Sequence, residues 1–138
     1  MPSSTSDRQE APPPVGVIDP DPAACAGIRA LLQPVGVDVV PFDSAEAYLM
    51  SDGGELSCLI VDLLLPGMSG LELLRRLRSL GNDVPVILLA DESDVPTAVA
   101  AMREGATDFI EKPYVNVAVL KQVQKLLRNG GGGGAARP

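Results

Sequence analysis

Residues 58–78 read CLIVDLLLPGMSGLELLRRLR. The first four side chains are apolar at every position rather than at alternate ones. A continuous apolar run of this length suits a strand of a parallel sheet covered on both faces. The run ends in an acid, Asp62, and Pro66-Gly67 then supplies a turn. Ser69-x-x-Glu72 has the spacing of a capping box, which opens a helix. Leu71, Leu74 and Leu77 lie on one side of that helix, and Arg75, Arg76 and Arg78 on the other. The stretch is therefore one strand–turn–helix unit with a carboxylate at the strand tip.

Working outward, the same alternation repeats. Apolar runs are predicted as strands at Val15–Asp19, Val37–Pro41, Cys58–Asp62, Val84–Ala90 and Thr107–Ile110. Helical patterns fall between them. Asp21 followed by Pro22 predicts an N-cap and first turn, with Cys25, Ile28 and Leu31/Leu32 as its apolar stripe. Ser44 is placed to cap a short helix through Met50. Asp94 is expected to cap a fourth helix, with Val95, Val99 and Met102 inward and Gly105 as its stop. The last helix is predicted over about 115–128, with Leu120, Val123 and Leu127 inward. Five β-α repeats with right-handed crossovers give a doubly wound α/β domain over 15–128. The flanks, 1–14 with "SSTSDRQEAPPP" and 129–138 with "NGGGGGAARP", are low in complexity and are expected to be a disordered tail and a glycine-rich tail or linker.

Composition excludes several classes of function. The chain has 138 residues, a formal net charge of −7 and no histidine. Without histidine there is no Ser-His-Asp or Cys-His machinery, and a zinc site is disfavoured. The acidic balance lacks the basic footprint of a nucleic-acid binder, so no direct nucleic-acid binding is expected. No apolar stretch reaches the length of a membrane span and no signal-peptide pattern opens the chain, so a cytoplasmic location is expected. Cys25 and Cys58 are then expected as buried free thiols.

In doubly wound sheets ligands bind outside the carboxyl ends of the strands. Asp19 and Asp21 follow the first strand, Asp62 ends the third, Asp91 follows the fourth and Lys112 follows the fifth. Acids and a lysine so gathered can accept a phosphoryl group: a carboxylate attacks phosphorus to form an acyl phosphate, and cations neutralise the oxygens. Asp62 is the candidate nucleophile, being the acid at the tip of an all-apolar strand. Asp21 reads as a helix cap more readily than as a ligand.

These motifs resemble the receiver domains of bacterial two-component response regulators. The resemblance spans 15–128. It rests on "LIVDLLLPGMSGLELLRRLR", with its Asp-x-x-x-Pro-Gly spacing, and on "VPTAVAAMREGATDFIEKP". It implies a flavodoxin-like fold with strand order 2-1-3-4-5. It further implies Asp62 as phosphoacceptor, Lys112 as the phosphate-contacting lysine, a cis bond before Pro113, and switch positions at Ala90 and Phe109. A sensor histidine kinase or another signalling protein is the implied partner, and the face formed by helix 4, strand 5 and helix 5 the implied dimer surface. On that face lie Val99, Arg103, Glu111, Lys112, Lys121, Gln122 and Lys125.

The departures from the family pattern concern the pocket itself. Pro20 stands where the family has a second acid, and proline offers no ligand and fixes φ. Ala90 stands where it has a threonine or serine hydroxyl, and Asp91 where it has a small residue. At ~5 Å and an effective dielectric near 20, a like charge repels by about 3 kcal/mol. The resulting expectation is an atypical, non-enzymatic receiver with impaired or absent aspartyl phosphorylation, acting through protein–protein contacts. Mg²⁺ at Asp19, Asp21 and Asp62 is expected to be weak or absent, and no organic cofactor is expected. The alternative is a conventional phospho-accepting receiver with weak Mg²⁺ binding. A haloacid-dehalogenase-like phosphatase using "DPDPA" and a flavodoxin-type electron carrier are more remote. The first has Ala23 where Thr or Val is usual, and lacks the late acidic motif. The second lacks a Ser/Thr-rich phosphate loop and has few aromatic rings.

Overall fold

The computed structural model describes residues 12–51, 54–112 and 116–128. Five strands form one all-parallel sheet: β1 Val15–Ile18, β2 Val39–Phe42, β3 Cys58–Asp62, β4 Val86–Ala90 and β5 Asp108–Glu111. The spatial order is β2-β1-β3-β4-β5, so the predicted order is observed. Among the described residues five α-helices connect and follow the strands: α1 Pro22–Leu32, α2 Ala45–Met50, α3 Gly70–Ser79, α4 Val95–Met102 and α5 Asn116–Arg128.

The two faces of the sheet explain the continuous apolar runs. Successive strand side chains point to opposite faces. Leu59 and Val61 of β3 join Val86, Leu88 and Ala90 of β4 in one core with α2, α3 and α4. Cys58 and Ile60 join Ile87 and Leu89 in the other, against α1 and α5. Each central strand is thus buried on both sides, and only Asp62 at the tip of β3 is less than fully buried. Cys25 and Cys58 are both buried free thiols, as expected.

The edge strand β2 carries its own protection. Val15 and Asp19 donate to the carbonyls of Asp38 and Phe42, so the intervening Val39 and Pro41 turn their polar groups outward. Arg29 of α1 donates to the Val39 carbonyl at 3.0 Å, and Pro41 has no N–H to offer. This edge presents little for a further strand to pair with.

Several sequence expectations need correction. Strands β2 and β4 start two residues later than predicted. Val37 still belongs to the turn that closes α1, its N–H bonding the Leu32 carbonyl at 3.2 Å after Gly36 at φ +82°. Val84 N–H bonds the Asn82 side chain rather than a strand neighbour. Asp94 does stand at the N-cap of α4, but it also ends a 3₁₀ turn over Glu92–Asp94 at φ −105°, ψ 4°, and makes no side-chain cap bond. Nor is the Val95/Val99/Met102 stripe buried. Ala98 and Ala101 face the sheet, while Val99 is 50% and Met102 37% exposed. Small side chains let this helix lie close to the core, which turns its larger residues out. In α3, Leu73 joins Leu74 and Leu77 in the core and Leu71 is half-buried; in α5, Val119 and Val123 are the buried pair. The expected cis bond before Pro113 and residues 1–11 and 129–138 lie outside the described residues.

Candidate functional site

The carboxyl ends of β1, β3, β4 and β5 bring Asp19, Asp62, Asp91 and Lys112 together. The backbone sets this convergence. Leu63 N–H donates to the Leu89 carbonyl and Lys112 N–H to the Ala90 carbonyl, each at 2.8 Å, so the strand tips are in register. Gly70, the first residue of α3, fixes the loop beyond Asp62 from behind. Its N–H bonds the Leu63 carbonyl at 3.0 Å, and a Cβ there would stand 2.8 Å from the Asp62 carbonyl oxygen and 3.0 Å from Leu63 Cα. Any larger residue would push the strand tip itself.

The Lys112 ammonium lies between two acids. It donates to Asp62 Oδ2 at 2.8 Å and stands 3.8 Å from Asp91 Oδ1. The other Asp62 oxygen accepts the Leu64 N–H at 3.0 Å. Asp62 is mostly shielded, its side chain 13% exposed, whereas Asp91 is 56% exposed. That exposure screens the repulsion anticipated from the sequence, so Asp91 acts on this site chiefly through its hold on Lys112. Burial lowers the Lys112 pKa, but the hydrogen bond and charge of Asp62, helped by Asp91 and Asp19, outweigh it and hold the ammonium above its ordinary value. Burial raises the Asp19 carboxyl above its ordinary value; the Asp21 N–H opposes this and the nearby Asp62 charge adds to it.

Pro20 shapes the first loop. Asp21 N–H donates to Asp19 Oδ1 at 2.9 Å, and Asp21 Oδ1 in turn accepts the Ala23 N–H at 3.0 Å. Asp21 is therefore the N-cap of α1, exposed and committed to the helix. This corrects the three-acid metal set. Among the described residues no three acid or thiol side chains gather closely enough to share a metal ion. Asp19 and Asp62 remain as a pair, each with one oxygen already accepting a backbone N–H. The donors present do not fit a three-carboxylate Mg²⁺ site.

The two switch positions differ in kind. Ala90 is buried, and its methyl group carries no hydroxyl toward the pocket. Phe109 is half-buried and packs against the core shared by α2, α3 and α4. On the α4–β5–α5 face, Val99, Arg103, Glu111, Lys121 and Lys125 are exposed, Gln122 is partly covered, and Lys112 is turned inward to Asp62. Sequence reasoning missed Glu46. Its Oε2 accepts the Met68 N–H at 3.0 Å and pins the β3–α3 loop to α2 across 22 residues of sequence. Nothing in a lone surface glutamate near a helix start signals such a contact.

Comparison with known proteins agrees with this architecture. The family described as the response regulator receiver domain matches residues 15–124. The chain is 41% identical over 117 residues to the transcriptional regulatory protein FixJ of Azorhizobium caulinodans, covering 83% of this chain and 54% of that one. It is 37% identical over 114 residues to the response regulator protein TmoT of Ectopseudomonas mendocina, covering 81% and 51%. Among solved structures, a response regulator receiver protein from Pseudoalteromonas atlantica superposes with a TM-score of 0.77 at 34% identity, covering 85% of this chain and 98% of that one. The chain thus spans about half the length of the curated relatives it matches.

Proposed function

The chain belongs to the response-regulator receiver family of two-component signalling, and on that premise we propose that it is an atypical receiver whose signal is carried by docking rather than by aspartyl phosphorylation. One observation carries this reading. The Lys112 ammonium, the cation an incoming phosphoryl group would need, has a second acid, Asp91, at 3.8 Å. Two absences among the side chains reinforce it: Pro20 supplies no second carboxylate and Ala90 no hydroxyl. Receivers generally bind Mg²⁺ at this site; here the donor pair Asp19 and Asp62 supports at most a weakened site.

The proposed action is non-enzymatic and cytoplasmic. The partner is a sensor histidine kinase or another signalling protein, met without direct nucleic-acid contact by this domain. The exposed α4–β5–α5 face, with Val99 and Met102 amid Arg103, Glu111, Lys121 and Lys125, suits such a partner or a weak homodimer. Among the described residues no helix is long and apolar enough to cross a membrane. The acidic balance bears on these 138 residues alone, since relatives that extend further include transcriptional regulatory proteins.

Intact-mass measurement after incubation with Mg²⁺ and acetyl phosphate tests the reading. It requires little or no 80-Da adduct, roughly the mass of one phosphoryl group, on a chain carrying this nucleophile. A stoichiometric adduct that disappears in Asp62→Asn supports the second reading, a conventional acceptor. The intact Asp62–Lys112 pair is the observation in that reading's favour.

A further inference from the structure

The loop between β3 and α3, residues 63–69, is held near both ends by carboxylates from different parts of the fold. At its start, Leu64 N–H donates to Asp62 Oδ1 at 3.0 Å. At its far end, Met68 N–H donates to Glu46 Oε2 at 3.0 Å, and Glu46 belongs to the first turn of α2. The approach is close. Gly67 turns the loop at φ +76°, and a Cβ there would stand 2.8 Å from the same Glu46 oxygen. The carboxylate reaches the loop backbone because position 67 has no side chain. The Met68 N–H holds the Glu46 carboxyl below its ordinary value, as a hydrogen bond to the charged form does.

Between these two bonds the loop has little slack. Leu63 and Leu65 are buried in the core that also takes Ala45 and Tyr48 of α2. Pro66 fixes a further φ. Beyond Met68, the Ser69 N–H bonds Glu72 Oε1 at 2.9 Å and the Gly70 N–H bonds the Leu63 carbonyl at 3.0 Å. Those two contacts lie inside the strand–turn–helix unit, whereas Glu46 braces it from outside. A shift of Met68 is therefore passed back along a stiff backbone to Leu64, whose N–H is on Asp62.

We propose that Glu46 is a positioning residue for Asp62: from α2 it braces the β3–α3 loop, and through that loop it holds the Leu64 N–H against the Asp62 carboxylate. The brace makes α2 a part of the acid pocket's support, on a side of the domain apart from the α4–β5–α5 face. It holds the carboxylate whether or not Asp62 accepts a phosphoryl group, so it stands independently of the preceding reading.

The test is ¹⁵N relaxation and amide proton shifts of the full chain, comparing the parent with Glu46→Ala and Glu46→Gln. Glu46 is exposed, and an unchanged Ile60 amide in the middle of β3 shows that each variant folds. Leu64 decides the outcome, because it bonds Asp62 and not Glu46. In Glu46→Ala the Leu64 order parameter should fall from about 0.85, the value of rigid backbone, toward about 0.6. Its amide proton should move upfield as the bond to Asp62 loosens. Glu46→Gln keeps a side-chain oxygen for the Met68 N–H and should restore both values. Met50→Ala, an exposed change at the other end of α2, should leave Leu64 as in the parent. Loosening of Met68 alone, with Leu64 unchanged in Glu46→Ala, overturns the proposal. So does a Glu46→Gln variant that behaves like Glu46→Ala, or a Met50→Ala variant that loosens Leu64 equally.

Discussion

Lys112 Nζ donates to Asp62 Oδ2 at 2.8 Å across 50 residues of sequence, tying the tip of β5 to the tip of β3. Both side chains are partly shielded, at 29% and 13% exposure. Removing the cation leaves Asp62, Asp19 and Asp91 facing one another uncompensated. Lys112→Ala should therefore lower stability in urea by about 1–3 kcal/mol, between the cost of breaking an exposed pair and that of breaking a buried one. Because the folded-state pKa of Lys112 is raised, its contribution is fully present at neutral pH. It is lost as pH rises above the ordinary lysine value of 10.5. Urea midpoints at pH 7 and pH 11 should show the difference between parent and variant shrinking at the higher pH.

Asp91 competes for the same ammonium. It is more than half exposed, so Asp91→Ala should change stability by less than about 0.5 kcal/mol. It should nevertheless increase the yield of acyl phosphate from acetyl phosphate, measured as adduct on the intact chain. A double variant adding Ala90→Thr should increase it further, through a hydroxyl able to bond the phosphoryl oxygens.

Asp19 gives a prediction of opposite sign to the usual carboxylate. Its pKa is raised, so its charged form costs stability in the folded state. The folded chain binds more protons between the ordinary value of 3.8 and the raised one, and stability falls as pH rises through that window. Asp19→Asn keeps an oxygen for the Asp21 N–H and removes the charge. Thermal melts should show the variant more stable at pH 7, with the gain gone below pH 3.8.

Asp21 separates a cap from a ligand. Asp21→Ala should cost about 1 kcal/mol through loss of the Ala23 N–H contact, while Asp21→Asn should cost far less because asparagine caps as well. Denaturant titrations of the two variants decide it. Equal large losses would mean that the charge, and not the cap, matters at this position.

Much of this was legible in the sequence because the relevant signals are local. The all-apolar Cys58–Val61 run, the Ser69–Glu72 capping box and Asp21-Pro22 each declare an element within a few residues, and the structure shows the strand and both caps. The strand tips placed Asp62 and Lys112 at one edge before any contact was known. What failed depended on packing distance. Sequence hydrophobicity favours Val99 and Met102 as the inward side of α4, yet the close approach of that helix admits only Ala98 and Ala101. The weak three-acid metal set competed in the sequence with the Asp21-Pro22 cap signal, and the Ala23 N–H bond to Asp21 agrees with the cap. The Glu46–Met68 contact joins segments that only the fold brings together.

The most direct measurement is a ¹⁵N-HSQC titration with millimolar Mg²⁺ followed by beryllofluoride, a phosphoryl mimic on aspartate, with Asp62→Asn as control. The account predicts that the spectrum stays that of the free protein, with no shifts spreading from Asp62 to Phe109 and α5. Large shifts along that path, absent in Asp62→Asn, would contradict it and show that the pocket accepts a phosphoryl group despite Pro20, Ala90 and Asp91.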